Sequence, residues 1–131
     1  MIIFKECMAV LLGGGVGSLS RFGLSRWIQS ISHHKHYPWG VFVCNVLGCL
    51  LIGIVAGILI HRMEMGPFWR AAILIGFLGG FTTFSSFSID TITLIQQGDI
   101  MSALSNVFLT VILCLIATAG GLYITKSLMG H

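Results

Sequence analysis

The feature that leaves this chain least freedom is a set of uncharged apolar runs at residues 39–60, 71–89 and 100–125. Each is close to or above the roughly 20 residues that carry a helix across about 30 Å of hydrocarbon. A fourth run, residues 7–28, contains Arg21 and Arg26 but opens with MAVLLGGGVG and still reads as a span. Arg26 sits near an end from which its side chain can snorkel, whereas Arg21 lies deeper and needs a polar partner. The chain is 56% hydrophobic and only 8% charged, against roughly 25% charge in an ordinary soluble domain, so water is not the solvent for most of its surface. The expected fold is therefore an all-α membrane protein. Its four transmembrane helices run over about residues 5–29, 39–60, 69–95 and 100–125, within one transmembrane domain spanning 1–131.

The apolar N-terminal run is followed by Arg21, Arg26 and Trp27 instead of a small-residue cleavage site, which argues against a signal peptide. The connections at 30–38, 61–68 and 96–99 are short, so neighbouring helices run antiparallel and no segment remains for a soluble domain. Four spans put Lys5, Arg62, Arg70 and Lys126 on one side and Lys35 and Arg26 on the other. That imbalance is small, and orientation in the membrane is weakly specified. Trp27, Tyr37, Trp39, Trp69 and Tyr123 stand near span ends, where amphipathic rings anchor among headgroups. The loop histidines His33, His34 and His36 read as solvated residues in preference to a metal site or pH sensor. The four cysteines have no metal-ligand spacing and read as small packing residues. The net charge of +3 is dispersed, which gives no footprint for nucleic acid.

Small residues four apart, as in Gly13 with Gly17 and Gly53 with Gly57, allow close helix contact in a membrane. The third span differs, because GFLGGFTTFSSFSIDT places glycines and hydroxyls where the hydrocarbon midplane should be. A helix break between residues 79 and 83 is expected there, exposing carbonyls and helix ends that bind ions. The competing reading is an unbroken helix whose hydroxyls bond back to their own i−4 carbonyls. Beyond the break, Phe84 and Phe87 share a face that Ser88 and Thr91 continue. Phenylalanines ordinarily pack in the core or against lipid, yet a ring edge is electropositive and can face an anion.

Asn45 lies mid-span in an uncharged helix, where an unpaired amide is costly, so it needs a neighbour, a water or an ion. Ser105, Asn106 and Thr110 add donors on the fourth span, while Thr118 and Thr125 read as ordinary helix threonines. Asp90 either pairs with Arg21 or emerges at the interface. It has no partner carboxylate, histidine cluster or nucleophile beside it, and GGGVG lacks the lysine and preceding strand of a phosphate loop. The chain is not expected to be an enzyme.

Three ordered segments then resemble one family. GGGVGSLSRF resembles the glycine-rich stretch ending in an arginine and an aromatic, WGVFVCNVLGCLLIG the second-helix signature, and GFLGGFTTFSSFSIDT the third-helix signature of the CrcB or Fluc bacterial fluoride channels. The resemblance covers essentially the whole chain. It implies a fluoride-selective channel in the bacterial inner membrane that exports fluoride passively, assembled as an antiparallel homodimer of dual topology. It further implies that Phe84 and Phe87 line the fluoride path, that Asn45 stands beside it, that Thr110 contributes a hydroxyl and that Arg21 lies near the pore mouth; Ser88 joins the path by its place on the phenylalanine face. A structural sodium ion (Na+) is implied at the dimer centre, held by the main-chain carbonyls of Gly79 and Thr82. Two departures from the family pattern are Ser86, where many members carry threonine, and Asp90, where some carry glutamate.

Two other classes compete. A small multidrug exporter of four helices should carry a buried carboxylate in its first span, and here no acid lies deeper than Glu6. A nonconducting membrane assembly would have no use for an amide at Asn45 and a broken midspan.

Overall fold

The computed structural model describes residues 1–61 and 64–129; Arg62, counted above among the charges of one side, lies outside them. The architecture is an all-α bundle of four membrane-length helical segments. Helix α1 covers Ile2–Ile31 and α2 covers Trp39–His61. The third span, Pro67–Gln96, is composite. It consists of a first turn α3 (Pro67–Arg70), a π-helical stretch (Ala71–Leu78), a short α4 (Gly79–Phe81) and α5 (Phe84–Gln96). Helix α6 covers Ile100–Met129. At 1.5 Å per residue the 30-residue helices α1 and α6 are about 45 Å long, enough to cross the hydrocarbon and continue among the headgroups.

Each helix begins and ends where the local chemistry allows. Pro67 opens α3 at a position where its missing N–H is no loss. Asp99 caps α6, its carboxylate accepting from the Ser102 N–H at 3.1 Å. Gly98, with φ +81°, provides the left-handed residue that reverses the chain between α5 and α6.

Packing follows the glycines. A Cβ at Gly53 would collide with the Thr118 carbonyl, and one at Gly57 would stand 2.7 Å from the Thr125 Cβ. From the other side, Gly121 approaches Leu50 O, where a Cβ would come within 2.6 Å. These contacts let α2 and α6 close on each other in a medium that supplies no hydrophobic drive between helices. Thr118 donates to Cys49 O at 3.1 Å. Thr125 donates to Gly121 O at 2.9 Å and reaches Ile54 O at 3.3 Å. Thr118 is therefore a cross-helix tie, which corrects the expectation of an ordinary helix threonine, whereas Thr125 keeps the ordinary i−4 bond and reaches across as well.

Helix α1 lies on the π-helical stretch in the same way. Side chains at Gly13 and Gly17 would strike the Ala72 and Phe77 carbonyls. A four-residue spacing on α1 thus meets a five-residue spacing on its neighbour, the interval that a π-helix brings to one face. Among the described residues, large apolar side chains of α1 such as Leu11, Leu12, Val16 and Leu19 remain exposed, as lipid or a further chain requires.

Candidate site at the break in the third span

The break is narrower than the sequence suggests and has a different cause. Gly79 and Gly80 stay helical, and only Thr82 (φ −89°, ψ 152°) and Thr83 (φ −150°, ψ 118°) are extended. Gly80 is small because α1 is close: a Cβ there would lie 2.6 Å from Gly14 O. What ends the helix is Asn45 on α2. In a continuous helix the Thr83 N–H would bond to the Gly79 carbonyl. Here it donates to Asn45 Oδ1 at 2.7 Å, and Asn45 Nδ2 donates back to Thr83 O at 3.1 Å. A buried amide that satisfies both backbone groups of one residue can hold that residue out of the helical ladder.

The next helix starts at once. Thr83 is the N-cap of α5, its Oγ1 accepting from the Ser86 N–H at 3.2 Å. That N–H is the donor a continuous helix would direct to the Thr82 carbonyl. The carbonyls of Gly79 and Thr82 have therefore both lost their ladder donors, one to Asn45 and one to Thr83 Oγ1. Back-bonding hydroxyls are present as well: Thr82 Oγ1 donates to Leu78 O at 3.0 Å and Ser88 Oγ to Phe84 O at 2.9 Å.

Asn45, Phe84, Phe87 and Thr110 line one cavity of about 290 Å³ together with Cys49, Thr82, Thr83 and Cys114. The two rings lie 5.3 Å apart at 49°. Phe87 is buried at 8% exposure, whereas Phe84 is 77% exposed in the single chain. Nδ2 of Asn45 carries two hydrogens, and its bond to Thr83 O occupies one. Thr110 donates to Asn106 Oδ1 over a long 3.4 Å, so its hydroxyl is easily redirected. Asn106, 1% exposed, bridges two spans by donating from Nδ2 to Thr91 Oγ1 at 2.9 Å, and Thr91 donates on to Phe87 O at 2.8 Å. This chain of bonds fixes the backbone that carries Phe87.

The remaining site residues from the sequence lie elsewhere. Ser88 and Arg21 are not among the cavity's lining residues. Ser88 is occupied by its bond to Phe84 O, and Arg21 lies half-buried on α1, where its Nη1 donates to Ser86 Oγ at 3.3 Å. The Arg21 Nε is buried without a partner among the described residues. Asp90 does not receive this guanidinium. It lines a separate recess at the end of the bundle with Arg26, Gln29, Lys35 and His36. Gly79 is exposed on the bundle surface, with only Leu74 O near its Cβ position.

Sequence reasoning missed four contributors. In the sequence Thr83 is only part of a loosened segment, although a threonine immediately before a helical run that opens at Phe84 is an N-cap signal. Ser86 emerged only in the structure as the partner of Arg21. The cavity-lining positions of Cys49 and Cys114 follow from their places one turn beyond Asn45 and Thr110.

Comparison with known proteins agrees with this architecture. Residues 8–122 match the family described as CrcB-like protein, Camphor Resistance (CrcB). A protein of Francisella philomiragia named fluoride-specific ion channel FluC is 43% identical over 116 residues, covering 86% of this chain and 88% of the relative. Proteins of the same name from Pseudomonas fluorescens and Hahella chejuensis are 42% and 34% identical, covering 91% and 92% of this chain and 95% and 94% of theirs. With a family match across nearly the whole chain and four membrane-length helices beneath it, this multi-pass membrane protein belongs to the CrcB family.

Proposed function

We propose that this protein is a fluoride-selective channel that lets the ion leave the cell down its gradient and so lowers cellular fluoride. The observation that carries the reading is the cavity at the break in the third span. A spare amide hydrogen on Asn45, a weakly held hydroxyl on Thr110 and the rings of Phe84 and Phe87 are assembled there within an otherwise oily bundle. A small, strongly hydrated anion needs its water replaced by donors and positive edges that are already in place. Exclusion of a larger, less strongly hydrated halide is part of this reading. Arg21 places a guanidinium cation at depth, its Nε without a partner among the described residues, which draws an anion toward this end of the path. Ser88 contributes through its hydroxyl only if an arriving ion takes its hydrogen from Phe84 O. Nothing is chemically transformed along such a route.

The test is a flux measurement in liposomes containing the purified protein. Under a fluoride gradient, rapid efflux is expected while chloride stays trapped. Efflux equal to that of protein-free vesicles, from protein shown to be folded, would overturn the channel reading.

The working unit in this reading is an antiparallel homodimer. Phe84 and Gly79 are exposed on the single chain, as groups completed by a second copy would be. The small charge imbalance between the two sides permits insertion either way. The carbonyls of Gly79 and Thr82, freed from the helical ladder, are hard oxygen ligands of the kind that unwound membrane helices offer to Na+. Two oxygens from one chain are too few for the ion, and a second chain would double them. Replacing Na+ by a bulky organic cation during purification is expected to lower the dimer's melting temperature, with recovery when Na+ returns. Indifference of the melt to Na+ would remove the ion from the proposal.

A further inference from the structure

Two thiols in the cavity have no part in the reading above. Cys49 lies one turn beyond Asn45 on α2, and Cys114 one turn beyond Thr110 on α6. Both line the same cavity, and the seating of Gly53 against Thr118 puts them at one level of the facing helices. Their placement is fixed by backbone. Thr118, one turn beyond Cys114, donates to the Cys49 carbonyl at 3.1 Å, and Gly53, one turn beyond Cys49, sits against the Thr118 carbonyl. Both residues are half-buried, and neither is in a disulfide.

We infer that Cys49 and Cys114 form a dithiol site for a soft, two-coordinate thiophilic cation such as Hg2+, and that occupying it closes the cavity. Thiolate sulfur selects soft cations over the hard ions of the cell. Two sulfurs from facing helices suit a cation that prefers linear coordination and needs no third protein ligand. In the binding step two S–H bonds break, two S–Hg bonds form and two protons leave to water. No electrons are transferred. The neutral bridge then ties α2 to α6 and fills space beside Asn45 and Thr110. Only the functional consequence rests on the conduction reading; binding does not.

The experiment uses the full chain with Cys7→Ser, which removes the exposed thiol, and compares Hg2+ with methylmercury, which caps one thiol at a time. With the fully buried Cys44 also replaced by alanine, intact-protein mass spectrometry should show one mercury per chain at the pair with Hg2+ and one methylmercury on each of the two remaining thiols. A near-ultraviolet mercury–thiolate absorption should accompany the Hg2+ adduct. In liposomes, Hg2+ should reduce fluoride efflux to the protein-free rate, and dithiothreitol should restore it. Adding Cys49→Ala or Cys114→Ala should abolish the bridged adduct and the block, judged by the ratio of flux with and without Hg2+ in each preparation. Two Hg2+ per chain, no uptake, or a block that survives either substitution would overturn the site. The stoichiometry needs neither cavity substitution nor conduction, so a failed variant or an inactive protein leaves that measurement decisive.

Discussion

Replacing Asn45 with leucine is expected to abolish fluoride flux and to destabilise the folded chain by about 2–5 kcal/mol, the sum of two lost hydrogen bonds and the burial of a backbone N–H and C=O left without partners. The substitution keeps the branching at Cγ and the number of side-chain heavy atoms and removes their polarity, so it is aimed at the hydrogen bonds. In the native chain both polar atoms of this amide are engaged by the backbone of Thr83 at 2.7 and 3.1 Å. Without them, either Thr83 stays extended with unsatisfied groups, or residues 82 and 83 rejoin the helix and the Gly79 and Thr82 carbonyls recover their ladder donors. Both outcomes remove the cavity's amide donor, and the second also erases the break. A thermal melt in detergent reports the stability, and amide hydrogen exchange at residues 82–86 separates the two outcomes. Native stability together with native flux in this variant would mean that Asn45 neither holds the break nor serves the ion.

This role for Asn45 marks the boundary of what could be read from sequence. The requirement that the amide be satisfied was legible, because an unpaired amide in hydrocarbon is costly. The identity of its partner was not, since Thr83 lies 38 residues away and only the packing of α2 against the third span brings them together. The spans themselves were plain, because runs of about 20 uncharged residues have few other destinations. Glycine was the misleading signal. Gly79 and Gly80 suggested unwinding, but Gly80 permits approach to Gly14, and both remain helical. The π-helical register of Ala71–Leu78 has no signature in its composition, AAILIGFL, and arises with its seating against Gly13 and Gly17. Threonine hydroxyls were ambiguous for a related reason. A helical threonine satisfies itself locally or reaches across, and the choice at Thr118 and Thr125 depends on how near a neighbouring carbonyl lies. Arg21 needed a partner, and the sequence offered Asp90 as one. The structure pairs Arg21 with Ser86, one turn before Asp90 on α5, while Asp90 faces the basic groups at the end of the bundle.

The two phenylalanines should part company when each is cut back, and the difference tests their role more sharply than either loss alone. Phe87→Ala removes a ring that is 8% exposed and should cost about 3–5 kcal/mol as a core truncation, so a drop in its flux mixes folding with conduction. Phe84→Ala removes a ring that is 77% exposed in the single chain, and truncation there should change the stability of that chain by no more than about 0.5 kcal/mol. Its effect on flux should nonetheless be large if the proposed path is right, because the ring borders the cavity and a ring edge can face an anion. Losing about 1.4 kcal/mol of stabilisation at the barrier already slows passage about tenfold. Phe84→Ile supports the comparison by keeping apolar bulk while removing the quadrupole, and it too should lose flux with a native melt. If Phe84→Ile conducts fluoride at the native rate, bulk is all that position supplies and the ring is outside the path. The stability difference between the two positions belongs to the single chain; in the proposed dimer the second copy covers Phe84, and an early melt of dimeric Phe84→Ala would report that coverage.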